Sequence, residues 1–346
     1  MKSLKEISWL VTEEEYRQDP ALSYSTLAKY ERGGFNALSS LFDKVESPSL
    51  TFGSAVDSWI TGGLDEFESR FMVADTLEVS DTVIKIVKQC FNLFKDSCSS
   101  LDEIPDNQLL EIINNNNYQS NWKPETRIKV IREKGFNYYQ LLYIAEDKII
   151  ITPSLYNEIA QAVYTLKTDK STEEYFKINT PFDDIERLFQ LKFKATFNNI
   201  EYRIMMDECY VNHKEKYIIP IDLKTSSKYE WDFYKSFIEW SYPIQGILYT
   251  KVLEENLKKD EYFKDFKILP YYFIVINRYS LCPLVWEFTE NHANSDLVYG
   301  KNKDIVIRHP FTIGEELTYY LDNKPSVPLN INKFKSNNLK EWLNKL

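Results

Sequence analysis

The chain reads as a mixed α/β protein, and three observations say so. Apolar residues recur at helical spacing through the first hundred residues, period-two alternation sets in near residue 186, and two more strand-like runs follow a helical stretch over 231–256. Thr12 with Glu15 fits a capping box, in a helix that ends near Asp19-Pro20. Ser23 or Ser25 can cap a second helix, stopped by Gly33-Gly34. After the polar loop DKVESPS, the segment FGSAVDSWI places Phe52, Val56, Trp59 and Ile60 on one helix face. Residues 80–145 read as helices broken by loops, with Val83, Ile84, Val87, Cys90, Phe91 and Phe94 as a stripe and NNNN at 114–117 as a polar break. LFQLKFKATF and IEYRIMMDECYV alternate on either side of Asn198-Asn199, which predicts a hairpin. NHKEK turns the chain into YIIPIDLKT, a short apolar strand. YYFIVIN and PLVWEFT are further strands, and 312–322 and 336–346 are helical stretches.

Composition narrows the function classes. The 346 residues are 43% hydrophobic, enough for a sizeable core. Forty-two basic residues against 52 acidic give a net charge of −10, so any DNA contact must come from a local basic surface. The stretch 121–135, NWKPETRIKVIREKG, has such an excess. It is either a solvated helix face or a phosphate-binding one, with Lys129, Arg132 and Lys134 as the candidate DNA contacts. Only 9 glycines and no GxxxxGK[ST] argue against a phosphate loop and its ATPase. His213, His292 and His309 are scattered, which disfavours a zinc or histidine-based hydrolase. Cys90, Cys98, Cys209 and Cys282 show no CxxC spacing and read as free thiols of a reducing compartment. With no signal-like N-terminus and no apolar run near ~18 residues, the expectation is a soluble, intracellular, cytoplasmic protein without a membrane partner. Trp231, Trp240 and the aromatics near them read mainly as core, with base stacking as their other use.

The chemistry concentrates at Asp222-Leu223-Lys224. Residues two apart share a strand face, so Asp222 and Lys224 point into one place. An isolated D-x-K also fits a strand end reaching solvent. Asp207 changes that weighting, because it interrupts the apolar run IMMDECYV, and antiparallel pairing through NHKEK brings it beside Asp222. Adjacent carboxylates repel, which is tolerable when they share a divalent cation. Together with the Leu223 carbonyl they make a hard-oxygen site suited to Mg²⁺ or Mn²⁺. A lysine alongside can position water or stabilise charge on a phosphate.

These residues resemble the PD-(D/E)xK nucleases, and within them the RecB-like and RecE-like group that includes the phage lambda-type exonucleases. SYSTLAKYERGGF resembles the group's S-x-S-x-L helix, and FGSAVDSWI its G-x-x-x-H helix, with Asp57 where the family places histidine. RIMMD followed by IPIDLKT resembles the D…D-x-K core. SYPIQGILYTKVL resembles the Q-x-x-x-Y helix, giving Gln245 and Tyr249 on one face behind Pro243. The resemblance implies a restriction-endonuclease-like core sheet flanked by helices in one nuclease domain over 1–346. Its parts would be N-terminal helices (1–79), a helical insertion (80–145), the catalytic core (186–290) and C-terminal helices (291–346). It further implies a Mg²⁺- or Mn²⁺-dependent deoxyribonuclease, an exonuclease of recombination or repair, phage-encoded in a bacterial host. DNA, a single-strand annealing protein and further copies of the chain would be its partners. Asp57, Asp207, Asp222 and the Leu223 carbonyl would hold the metal. Asp207, Asp222 and Lys224 would carry catalysis, with Gln245 and Tyr249 orienting DNA or the lysine. Two departures stand out. Besides Asp57 for histidine, the usual strand glutamate is replaced by Gln190, with Glu186 a less well aligned substitute. The departures favour a competing reading, an inactive nuclease fold acting as a DNA-binding or structural component. The joint presence of Asp207, Asp222 and Lys224 favours catalysis.

Overall fold

Helices form where the sequence supplies a cap and an apolar stripe. The computed structural model describes residues 1–43, 48–75, 79–180 and 183–324, so most of the DKVESPS loop and the expected 336–346 helix lie outside the described residues. Thr12 and Glu15 close the capping box of α1 (Glu13–Gln18). Ser23 caps α2 (Tyr24–Gly33), which stops at Gly34 with φ +56°, a conformation glycine adopts without strain. α3 (Pro48–Arg70) buries Phe52, Val56 and Ile60 and breaks at Gly63, φ +80°. Then come β1 (Phe71–Val73), α4 (Asp81–Phe94), α5 (Asp106–Asn115), α6 (Pro124–Ala145), β2 (Ile149–Ile151) and α7 (Pro153–Thr168). The strand-rich part holds β3 (Ile185–Phe197), β4 (Ile200–Asn212) and β5 (Tyr217–Ser226), then α8 (Phe233–Glu239) and α9 (Tyr242–Leu257). It closes with β6 (Lys267–Ile268), β7 (Tyr271–Asn277), β8 (Pro283–Phe288), β9 (Leu297–Tyr299), β10 (Ile305–Ile307) and α10 (Pro310–Asn323). Among the described residues no helix is long and apolar enough to cross a membrane.

The chain divides into two compact units, Met1–Thr61 with Ala162–Leu346, and Gly62–Gln161. In the first, Asn198 and Asn199 both take positive φ (50° and 64°), as a two-residue hairpin turn requires, and join β3 to β4. The sheet order is β3-β4-β5-β7-β8, with β6 beside the start of β5. β5 pairs antiparallel with β4 and parallel with β7, so the chain must cross over between β5 and β7, and α8 and α9 lie on that crossover. α9 buries Ile244, Ile247, Leu248 and Val252 in the core shared by Phe193, Ile204, Met206 and Phe273. Gly246 permits this approach, because a Cβ there would stand 2.5 Å from Phe288 Cδ1. α10 is fastened to α2 by Glu316, 3% exposed, which accepts from the Tyr30 hydroxyl at 2.6 Å and pairs with Arg308, itself paired with Glu31.

The second unit, Gly62–Gln161, is built mainly from helices. Val83, Ile86, Val87 and Cys90 of α4 pack with Ile112 and Ile113 of α5 and Ile128, Ile131 and Tyr139 of α6. Gly135 lets α6 approach α4, since a Cβ there would meet Val87 Cγ2 at 2.6 Å. The parallel pair β1–β2 lies in the same unit.

One residue of the sheet stands out energetically. Glu208 on β4 is 1% exposed, and neither carboxylate oxygen has a hydrogen-bond partner among the described residues. Burial raises its pKa well above the usual carboxylate range, and Arg187, bound to Glu174 at 2.5 Å, opposes this only in part. Folded Glu208 therefore keeps a proton that the unfolded chain loses. The stability tied to that proton is complete below the ordinary carboxylate range and is lost as pH rises toward the raised folded value. Glu208→Gln should remove the slope of about 1.4 kcal/mol per pH unit. In metal-free thermal unfolding the variant should be the more stable protein near about pH 8 and equal to wild type near about pH 4. Parallel curves for the two proteins would show that Glu208 ionises normally.

Candidate active site

The site begins where a ladder ends. β4 and β5 pair as far as Glu208↔Ile221, which leaves Asp207 and Asp222 opposite one another at the next step. There a side-chain bond replaces the ladder, the Leu223 N–H donating to Asp207 Oδ2 at 2.8 Å. The N–H and C=O of one strand residue point toward the same neighbour, so the Leu223 carbonyl faces this gap too. On β3, Gln190 interrupts the pairing between Phe189↔Glu208 and Leu191↔Met206 and holds φ +55°. Leu188 and Leu191, and likewise Met206 and Cys209, join one core despite their odd spacing. The pleat of both strands therefore reverses at Gln190 and Asp207. Such a conformation in a non-glycine residue stores about 1–3 kcal/mol, here beside the candidate chemistry.

α3 brings in the third carboxylate. Gly53 lies against β5, where a Cβ would stand 2.9 Å from Thr225 Oγ1, and Asp57 follows one turn later. Gln190 Nε2 donates to Asp57 at 3.3 Å (Oδ1) and 3.4 Å (Oδ2). Burial, then the charges of Asp222 and Asp57, push the Asp207 carboxyl well above its ordinary pKa, against Lys224 and the Leu223 N–H.

Asp222 is 2% exposed, and two elements meet it. Its Oδ1 accepts from Gln245 Nε2 of α9, and its Oδ2 lies 2.5 Å from Lys224 Nζ. Burial is the largest influence on Lys224 and works against its charge, but Asp222, Tyr242, Tyr24 and Asp207 together outweigh it and raise the ammonium above its ordinary pKa. Lys224 Nζ also stands 4.9 Å from the centroid of the Tyr242 ring. An ammonium in this position can donate hydrogen bonds and stabilise negative charge. Tyr249 is buried, its ring against Tyr271 at 6.1 Å, and burial raises its hydroxyl pKa well above the ordinary value. The aromatic ring beside Lys224 is that of Tyr242, while Tyr249, expected with Gln245 to orient DNA or the lysine, packs against Tyr271.

The structure brings Asp57, Gln190, Asp207, Asp222, Leu223, Lys224 and Gln245 together. Glu186 lies elsewhere, accepting from Ser3 Oγ at 2.5 Å and meeting His213 at 3.3 Å, so it anchors the N-terminus. In the second unit Arg132 is committed to structure, donating to the Ile104 carbonyl at 2.7 Å and pairing with Asp106 at 2.8 Å. Lys129 and Lys134 are exposed, Lys129 lying 3.7 Å from Glu133. Sequence reading missed Tyr242, Tyr24 and Tyr16. Tyr24 lies within electrostatic reach of Lys224 and Asp222, and burial pushes the Tyr16 hydroxyl up to about 12 near Asp207. The one signal for Tyr16 was an aromatic alone among charges in EEEYRQ.

Among the described residues no group of three His, Cys, Asp or Glu side chains stands close enough to hold a metal ion as placed. The donor chemistry nevertheless fits a hard cation. Two carboxylates, Asp222 and Asp57, crowd that of Asp207, a strand carbonyl faces the same gap, and the buried Gln245 Oε1 has no partner among the described residues.

The site thus belongs to a mixed α/β protein whose central sheet is flanked by helices. No family profile matches the chain, and no curated protein matches it. A crystal structure from Eubacterium rectale, of a protein provisionally described as an exonuclease, is similar at a TM-score of 0.46 and 13% identity, covering 95% of this chain and 99% of that one. At that distance the likeness carries no argument about chemistry.

The ion pair makes its own prediction. Lys224→Met would strand a buried carboxylate and should lower stability by about 3 kcal/mol, whereas adding Asp222→Asn to it should restore most of the loss. Denaturant unfolding of the two single variants and the double variant gives the coupling, and simple additivity would dissolve the pair as an energetic unit.

Proposed function

We propose that the protein is a divalent-metal-dependent deoxyribonuclease that hydrolyses DNA phosphodiester bonds at the Asp57, Asp207, Asp222 and Lys224 cluster. The observation that carries this reading is geometric: Lys224 lies 2.5 Å from the buried Asp222, and Asp207 stands opposite that aspartate where the β4–β5 ladder ends. Bound Mg²⁺ or Mn²⁺ would supply a water of lowered pKa and a Lewis acid for the phosphoryl oxygen. Asp57, Asp207, Asp222 and the Leu223 carbonyl would hold it. Lys224 donates to a non-bridging phosphate oxygen as charge develops there. Gln245 and Lys224 fix the Asp222 carboxylate, and the pleat reversal at Gln190 aims Asp207 into the gap. Within this reading the protein is an exonuclease of recombination or repair, encoded by a phage and acting inside its bacterial host. It works on DNA as a homo-oligomer, beside a single-strand annealing protein, with Lys129 and Lys134 as further phosphate contacts.

A second reading, an inactive DNA-binding or structural component, has one observation in its favour. The Gln190 amide already donates to Asp57, giving that carboxylate a partner without any cation. Cleavage of linear duplex DNA with Mg²⁺, with Mn²⁺ and with EDTA separates the two. Wild type should cut only with metal, and Asp222→Asn should lose about a hundredfold or more in rate. Metal-independent cleavage, or a variant within about tenfold of wild type, would sink the proposal. Asp57→Ala should weaken Mn²⁺ binding in a direct titration, and equal affinity would leave the site to Asp207 and Asp222.

A further inference from the structure

Past Lys224 the chain leaves the sheet and exposes aromatic rings. Tyr229 is 51% and Trp231 70% exposed, and their rings stack at 4.6 Å with 11° between planes. The loop that carries them is tied to the loop after β7. Asn277, 2% exposed, donates to the Lys228 carbonyl at 2.7 Å, the Arg278 N–H to the Ser226 carbonyl at 2.9 Å, and Ser280 Oγ to Glu230 at 2.6 Å. The rings are therefore held in place at the carboxyl ends of two adjacent parallel strands, where ligands of such sheets gather. Large aromatic faces left in water forgo the burial that would otherwise stabilise the fold.

The chemistry around the rings indicates what would cover them. The exposed large apolar residues of these two loops and of α8 are all aromatic: Tyr229, Trp231, Tyr234, Trp240 and Tyr279. The aliphatic side chains of these segments, Ile238 and Leu281 among them, are at least partly buried, so the exposed apolar surface is aromatic. Two lysines beside the rings are already paired, Lys228 with Glu239 at 2.5 Å and Lys235 with Asp232 at 2.7 Å. Ring faces are what it offers. At the far end of α8, Arg32 lies 5.1 Å from the Trp240 ring, and the Tyr24 hydroxyl donates to the Trp240 carbonyl at 2.7 Å. That chain of contacts leads back toward Lys224.

We infer that Tyr229 and Trp231 form a stacking platform for the unpaired bases of a single DNA strand leaving the candidate active site. The inference rests on the nuclease reading for the strand's presence there and adds the substrate form: a strand with unpaired bases beside the cut. Stacking accepts any base, so the platform reads single-strandedness and not sequence.

The test is binding in EDTA, where no cleavage intervenes, followed by fluorescence anisotropy of labelled oligothymidylate and of a blunt duplex. Tyr229→Ala with Trp231→Ala should weaken oligothymidylate binding about tenfold, leave blunt-duplex affinity unchanged and keep the salt dependence of the remaining binding. Trp231→Phe, which keeps a ring, should stay within about twofold of wild type. An unaltered melting temperature excludes misfolding of either variant. Unchanged oligothymidylate affinity in the double variant, with wild-type cleavage intact, overturns the platform alone. Ring-dependent oligothymidylate binding by a protein that cuts no DNA would overturn the nuclease reading and leave the platform standing.

Discussion

A carboxylate sealed from water has to be met by something. Asp222 is met twice, by the Gln245 amide from α9 and by the Lys224 ammonium from its own strand. Removing either partner leaves a charge in a medium that disfavours it, so the helix, the strand and the lysine rotamer hold one another in place. α9 can reach Asp222 because Gly246 lets it sit against Phe288. The crossover from β5 to β7, required by their parallel pairing, brings α9 to that face.

The second constraint is the pleat reversal at Gln190 and Asp207. A regular hairpin would keep alternate residues on one face throughout, and the even-numbered core positions up to Met206 would put Asp207 on the other. The positive φ of Gln190 breaks that alternation, and the core continues at Cys209. Asp207 is thereby freed to reach the Leu223 N–H. Strain placed here has a geometric consequence that unstrained strands could not deliver. The same residue joins the chemistry, since Gln190 lends Asp57 an amide donor where a carboxylate would have added a fourth negative charge.

Exposure separates two kinds of aromatic residue in this chain. Tyr202, Tyr271, Phe273 and Phe288 fill the core, whereas Tyr229, Trp231 and Tyr279 stand in water on loops joined by hydrogen bonds from Asn277 and Ser280. Reading Trp231 and Trp240 as core fails because both lie outside the regular strands, where alternation gives no guide to which side is buried.

What the sequence determined by itself is everything set by short-range rules. Thr12 and Ser23 as caps, Asn198-Asn199 as a turn, and the alternating strands on either side of it follow from local backbone chemistry, and the helical part of the second unit follows from its apolar stripe. Asp207 beside Asp222 was legible too, because hairpin register converts sequence separation into spatial position. Tertiary structure alone decided the rest. That Lys224 meets Tyr242, that Glu186 belongs to the N-terminus while Gln190 meets Asp57, and that Arg132 is tied to α5 and the loop before it all depend on how elements far apart in sequence pack. The small pairs β1–β2 and β9–β10 went unread for the same reason. Their short runs carry too little periodicity to register, and only a partner brought from elsewhere in the chain makes them strands.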